Sequence, residues 1–120
     1  MNGQVDALLR ALIEVEVSDT PSGNAQSVTA WIDTAFNGQF VFPRQVIDQL
    51  GLEQLAATEA ILADGSKVTL ETFLCYVTWF GSATAAQVVA NDGRVPLLGT
   101  ELLAGRTLLI DYANHRLSLD

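Results

Sequence analysis

One cysteine, one histidine and six basic residues are all this chain carries of the groups that most often announce a function. The lone Cys75 excludes an internal disulfide, and one cysteine with one histidine cannot build a structural zinc site; no metal or cofactor is expected. Six Lys and Arg stand against fourteen Asp and Glu, a net charge of -8. Neutralising phosphates takes clustered cations, so nucleic acid is excluded as a partner, as is attraction to an anionic membrane surface. No apolar run approaches the roughly 18 residues needed to span a bilayer. Met1 to Arg10 lacks the basic segment and long apolar stretch of a signal peptide, so a cytoplasmic protein is expected.

What the chain has is apolar content, 49% of 120 residues, enough to bury a core in one domain over residues 1–120. Turn signals recur at short intervals: Asp19 to Asn24, Asn37-Gly38, Asp64-Gly65-Ser66, Gly81-Ser82, Asn91-Asp92-Gly93 and Ala113-Asn114. The segments between them are rich in Val, Ile, Thr and aromatic residues, which predicts an all-β sandwich or barrel. Ile13, Val15 and Val17 alternate with Glu14 and Glu16 as a half-buried strand requires, and Val28, Ala30 and Ile32 keep the same period. Ile61 to Leu70 reads as a hairpin turning at Asp64-Gly65. Thr72 to Phe80 and Gln87 to Ala90 are further strands, and Thr107 to Asp120 is a closing hairpin with Asn114 near its turn. Two short helices interrupt the β pattern. One runs from Pro43 to Leu50 with Gly51 just past its end; the other runs from Thr100 to Gly105, with Thr100 placed to cap it. Strand, turn, strand and short helix thus occur twice in a faint internal two-fold plan.

Asp33 stands out within Ala30-Trp31-Ile32-Asp33-Thr34-Ala35-Phe36-Asn37-Gly38. A carboxylate at the end of a hydrophobic strand is unfavourable unless it is paired or hydrogen-bonded. Other candidates have simpler readings. Cys75, between Leu74 and Tyr76, is a buried inert thiol. His115 lies in a polar turn at the surface, and Asp111 opens the closing turn in solvent. Glu14 and Glu16 form an exposed strand face. Trp31 and Trp79 are core or interface residues, Trp79 also being placed to line a peptide groove.

Taken together, Ile32-Asp33-Thr34-Ala35-Phe36-Asn37-Gly38, the hairpin Leu62-Ala63-Asp64-Gly65-Ser66, Val95-Pro96-Leu97-Leu98-Gly99-Thr100-Glu101-Leu102-Leu103 and Leu108-Leu109-Ile110-Asp111-Tyr112 resemble the retropepsin-like aspartic proteases, in particular a bacterial branch reading Asp-Thr-Gly-Phe. Order and spacing agree from about residue 10 to residue 120. The resemblance implies an acid-protease barrel with one or two short helices and a flap hairpin near residues 61–70. It implies an endopeptidase acting on a peptide or protein through a homodimer, since one chain offers one Asp-Thr loop and the chemistry needs two carboxylates. Asp33 would supply one carboxylate from each chain, with Thr34 and Ala35 completing the loop. Thr34 would bond across the dimer, and Leu97-Leu98-Gly99 would pack beside the loop. Ala63, Asp64, Gly65 and Ser66 would form the flap tip over an extended substrate.

Three positions depart from the family. Ala35 stands where it has Gly; Asn37 and Thr100 stand where retroviral members have an Asp and an Arg that brace the dimer. Ala35 favours an alternative reading, a catalytically impaired retropepsin-like module that dimerises or binds peptides. A third reading, an unrelated ligand-binding β-barrel, makes the Asp-Thr loop a coincidence and predicts a stable monomer.

Overall fold

Binary patterning decides the long central strands. In the computed structural model, which describes all of residues 1–120, β2 (Ala11–Ser18) buries Ile13, Val15 and Val17 and exposes Glu14 and Glu16. β3 (Gln26–Ile32) buries Val28, Ala30 and Ile32. The two pair antiparallel from Leu12 opposite Trp31 to Val17 opposite Gln26. β4 (Phe40–Pro43) does not alternate, because it is buried on both faces. Its Phe40 and Phe42 rings lie 5.0 Å apart in a core of 22 residues.

β6 (Lys67–Trp79) and β7 (Ser82–Asn91) form a long antiparallel pair, and β8 (Leu97–Leu98) is threaded between β3 and β4, parallel to the first and antiparallel to the second. β4 runs parallel to β7, and Val17 and Ser18 at the end of β2 pair with Val77 and Tyr76 of β6. The succession β2-β6-β7-β4-β8-β3 therefore closes on itself into a six-stranded barrel. Closure leaves these strands without free edges.

Two extensions leave the barrel. Off β6 stands β5 (Glu53–Ile61), paired with β6 alone. Off the start of β2, β1 (Asn2–Val5), β10 (Arg116–Leu119) and β9 (Leu108–Asp111) continue the sheet. β1 carries no strand signal in its sequence; it forms because β10 and β2 flank it.

Helix α1 (Arg44–Leu50) starts after Pro43 and ends at Gly51, whose φ of 65° is left-handed. Gly51 donates to the Asp48 carbonyl and Leu52 to that of Ile47, and Leu52 is buried, so the stop is a Schellman motif with its hydrophobic contact. Helix α2 (Thr100–Leu103) differs in detail from the expected capping: Gly99 is its N-cap residue, and the Thr100 hydroxyl is engaged elsewhere. No helix is long and apolar enough to cross a membrane.

Candidate active site

The loop from Asp33 to Gln39 joins β3 to β4, and β8 lies between those two strands. The loop must therefore pass over the end of β8, and the contacts there define its shape. The Asp33 amide donates to the Leu98 carbonyl at 2.9 Å, and the Gly99 amide donates to the Gln39 carbonyl at 2.7 Å. The Thr100 amide and hydroxyl both donate to the Phe36 carbonyl, at 2.8 and 3.2 Å. The Glu101 amide reaches the Gly38 carbonyl at 3.2 Å. A Cβ at residue 99 would collide with the Gly38 carbonyl oxygen and the Phe36 ring. Close backbone approach, not an unusual dihedral, is what demands glycine there.

Within the loop, Asp33 Oδ1 accepts the Ala35 amide at 3.0 Å and the Asp33 carbonyl accepts the Phe36 amide at 3.2 Å. This Asx-type turn fixes the carboxylate with one oxygen engaged and leaves it half-exposed. Thr34 and Ala35 are exposed beside it. Ala35 has no positive φ. The backbone here asks for no conformation that alanine resists, so the difference from glycine is a single exposed methyl group.

Asp33, Thr34 and Ala35 line a depression of about 370 Å³ together with Trp31, Ile32 and Leu97. Asp33 is its only carboxylate. Trp31 is 39% exposed and Trp79 is 9% exposed. The tryptophan beside the loop is thus the first, whereas the sequence pointed to the second for a groove. Parity along β3 carried that signal: Trp31 sits between inward-facing Ala30 and Ile32.

The expected hairpin is present as β5 and β6, with Leu62 to Ser66 as its turn. Gly65 donates to the Leu62 carbonyl at 2.9 Å with φ of 84°, and the Leu62 amide donates to the Ser66 carbonyl at 2.8 Å. This is a type I turn followed by a left-handed glycine, the three-residue hairpin loop. Asp64 Oδ1 accepts the Ser66 amide and hydroxyl at 2.9 and 2.6 Å, and these bonds, the hydroxyl first, hold the carboxyl below its ordinary value. Ala63, Asp64, Gly65 and Ser66 are all exposed, and none lines the Asp33 depression within one chain.

The two faces of this ribbon differ. Ala56, Thr58 and Ala60 lie opposite Thr72, Leu70 and Val68, so that face is uncharged, whereas Glu59, Glu71 and Lys67 share the other. Arg44, at the start of α1, holds the ribbon's base through Glu71 at 2.7 Å.

The remaining candidates stay where the residues implied. Cys75 is fully buried and its thiol is pushed up to about 12 by burial. Asp111 accepts the Asn114 side chain and amide at 2.8 and 3.1 Å. His115 is exposed, with Nδ1 3.1 Å from the Val5 carbonyl oxygen. No group of three or more His, Cys, Asp or Glu side chains is placed to hold a metal.

A closed barrel with a β8 crossing beneath an Asp-Thr loop, and a projecting hairpin, is the retropepsin-like aspartic protease fold. Among solved structures, a retropepsin-like aspartic protease from Rickettsia conorii is similar over 99% of this chain and 88% of its own, with a TM-score of 0.75 and 17% identity. EIAV protease complexed with the inhibitor HBY-793 is similar over 78% of this chain and 85% of its own, with a TM-score of 0.55 and 17% identity. No protein-family model matches the sequence, and no curated protein does.

Proposed function

We propose that this chain is an aspartic endopeptidase whose active site forms when two copies each contribute Asp33. The observation that carries the reading is the loop itself: an Asp-Thr turn braced from the second half of the chain by Leu98, Gly99 and Thr100, in a depression holding a single carboxylate. Two carboxyl groups about 3 Å apart do not both ionise readily, and aspartic proteases are the known instance of such a coupled pair. The ionised Asp33 takes a proton from a water molecule, which attacks the scissile carbonyl carbon. The protonated Asp33 donates its proton to the carbonyl oxygen, giving a neutral gem-diol. Return of a proton to the amide nitrogen breaks the C–N bond. No covalent intermediate forms.

Thr34 bonds across the pair and keeps the carboxylates in register. The ribbon closes over the bound peptide with Ala63, Asp64, Gly65 and Ser66 at its tip, and its uncharged face suits an extended apolar segment. The backbone at Ala35 supports activity over the impaired-module alternative, because alanine fits the loop without strain. Cleavage of a peptide library by the wild type, its inhibition by a statine-type transition-state mimic, and its loss in Asp33→Asn test the proposal. Cleavage that survives both the mimic and the substitution would overturn it.

A further inference from the structure

The loop between β1 and β2 is a built structure that presents two leucines to water. Asp6 Oδ1 accepts the Leu8 and Arg10 amides at 3.1 and 2.9 Å, and Oδ2 accepts Arg10 Nε at 2.8 Å and meets Nη2 at 2.6 Å. The Asp6 amide donates to the Arg10 carbonyl and the Leu9 amide to the Asp6 carbonyl, each at 3.0 Å. Inside this frame Leu8 is 73% exposed and Leu9 62%. Leu9 also has φ of 61°, the left-handed region that side chains such as leucine avoid. A monomer gains nothing from holding two leucines outward in a conformation that glycine or asparagine would adopt more easily. Strain and exposure together mark a surface ordered in advance of a contact.

Strand register places that surface beside the Asp33 loop. Val5 pairs with Ala11, and Leu12 pairs with Trp31, two residues before Asp33. The Arg10 guanidinium lies 5.9 Å from the Trp31 ring, and Trp31 lines the Asp33 depression. Charge permits a second copy as the occupant at this place. Two chains of net charge -8 repel each other over most of their surface, but here Asp6 and Arg10 neutralise each other and the tip carries no charge of its own. The terminal strands are already satisfied within the chain, since Met1 and Leu119 exchange backbone hydrogen bonds.

We infer that the Leu8-Leu9 tip is the contact through which a second copy of this chain docks, bringing the two Asp33 loops together. The inference rests on the two-copy active site proposed above. An isologous dimer about a two-fold axis buries four leucines next to the paired loops and excludes water from their rim.

Sedimentation equilibrium on the full chain, with peptidase activity measured across protein concentration, tests it. In Leu8→Ser/Leu9→Asn, asparagine tolerates the left-handed backbone, so the monomer keeps its fold and its circular dichroism. The dimer Kd is expected to rise about a hundredfold or more, with activity falling at low concentration and recovering at high concentration. Leu8→Arg, which leaves Leu9 in place, is expected to act the same way through repulsion, while Leu109→Ser on the far edge strand leaves Kd unchanged. A wild-type dimer whose Kd is untouched by both tip variants overturns the contact and leaves the Asp33 pair standing. A wild type that stays monomeric at every concentration overturns both.

Discussion

Asp33 is held in place by the backbone around it. Its amide is tied to Leu98 and one of its oxygens to the Ala35 amide, so the carboxylate is positioned by backbone groups that a substitution of the side chain leaves intact. Asp33→Asn is accordingly expected to lower peptide cleavage by about 10²–10⁴-fold, the usual contribution of a general acid or base, with dimer Kd unchanged by sedimentation. Ala35→Gly is expected to alter kcat/KM by less than about tenfold, because the wild-type dihedral already suits alanine; a gain from no activity to measurable activity would instead identify a degenerate protease. Cys75 offers a contrasting case. Its thiol, pushed up to about 12 by burial, is expected to resist iodoacetamide at pH 8 in the folded protein and to react when unfolded by urea, a difference mass spectrometry reads directly. The inertness of Cys75 was legible from its apolar neighbours. The dihedral of Ala35 was not, since family glycine is ambiguous between a positive φ and a close approach.

Elements differ in how much support they receive. The barrel strands pack against a shared core, whereas the outer part of the β5–β6 ribbon is paired only with itself, and Leu55, Ile61, Leu62 and Leu70 remain exposed on it. An isolated two-stranded ribbon is marginal in water, so its amides are expected to exchange hydrogen far faster than those of β2 and β3. Gly65→Val, which forces a β-branched residue to φ of 84°, is expected to lower kcat/KM severalfold while moving the global melting temperature by less than about 2 °C. The hairpin was readable because Asp-Gly has few other uses between apolar runs. β1 was not, since its strand state comes from pairing with β10 at the other end of the chain, Asn2 lying opposite Ser118. Helix α2 shows the same limit: Thr100 has the chemistry of a cap, but the carbonyl of Phe36 claims its hydroxyl.

At the scale of the whole molecule, three turns are held by carboxylates whose pKa values lie below the ordinary 3.8: Asp6 through the Arg10 side chain, Asp64 through Ser66 and Asp111 through Asn114. A folded-state pKa below the unfolded one means that the folded chain binds fewer protons in that range. The stabilisation is complete above the ordinary value and is lost as pH falls through the lowered ones. The melting temperature is therefore expected to hold level from pH 7 to about 5 and to decline below about 4. Calorimetry across that range checks the sign. Because Asp64 is exposed and Asp6 and Asp111 are only half-buried, the decline is modest and is reduced by added salt.

The internal two-fold plan also belongs to this scale. Strand, turn, strand and helix recur in both halves, and the barrel uses the repeat by running β3 with β8 and β4 with β7, each pair parallel. The sequence alone determined that the chain is all-β, where its first helix stops, that Asp33 sits at a strand end, and that Asp64-Gly65 turns a hairpin. These follow from periodicity and local backbone preference, which act within a few residues. Tertiary structure alone decided that β8 passes beneath the Asp33 loop, that Gly99 is required by close approach, that Trp31 rather than Trp79 flanks the carboxylate, and that Arg10 reaches the Trp31 ring. Those outcomes depend on which distant strands pair and in what register, and barrel closure settles that through contacts made far apart in the chain.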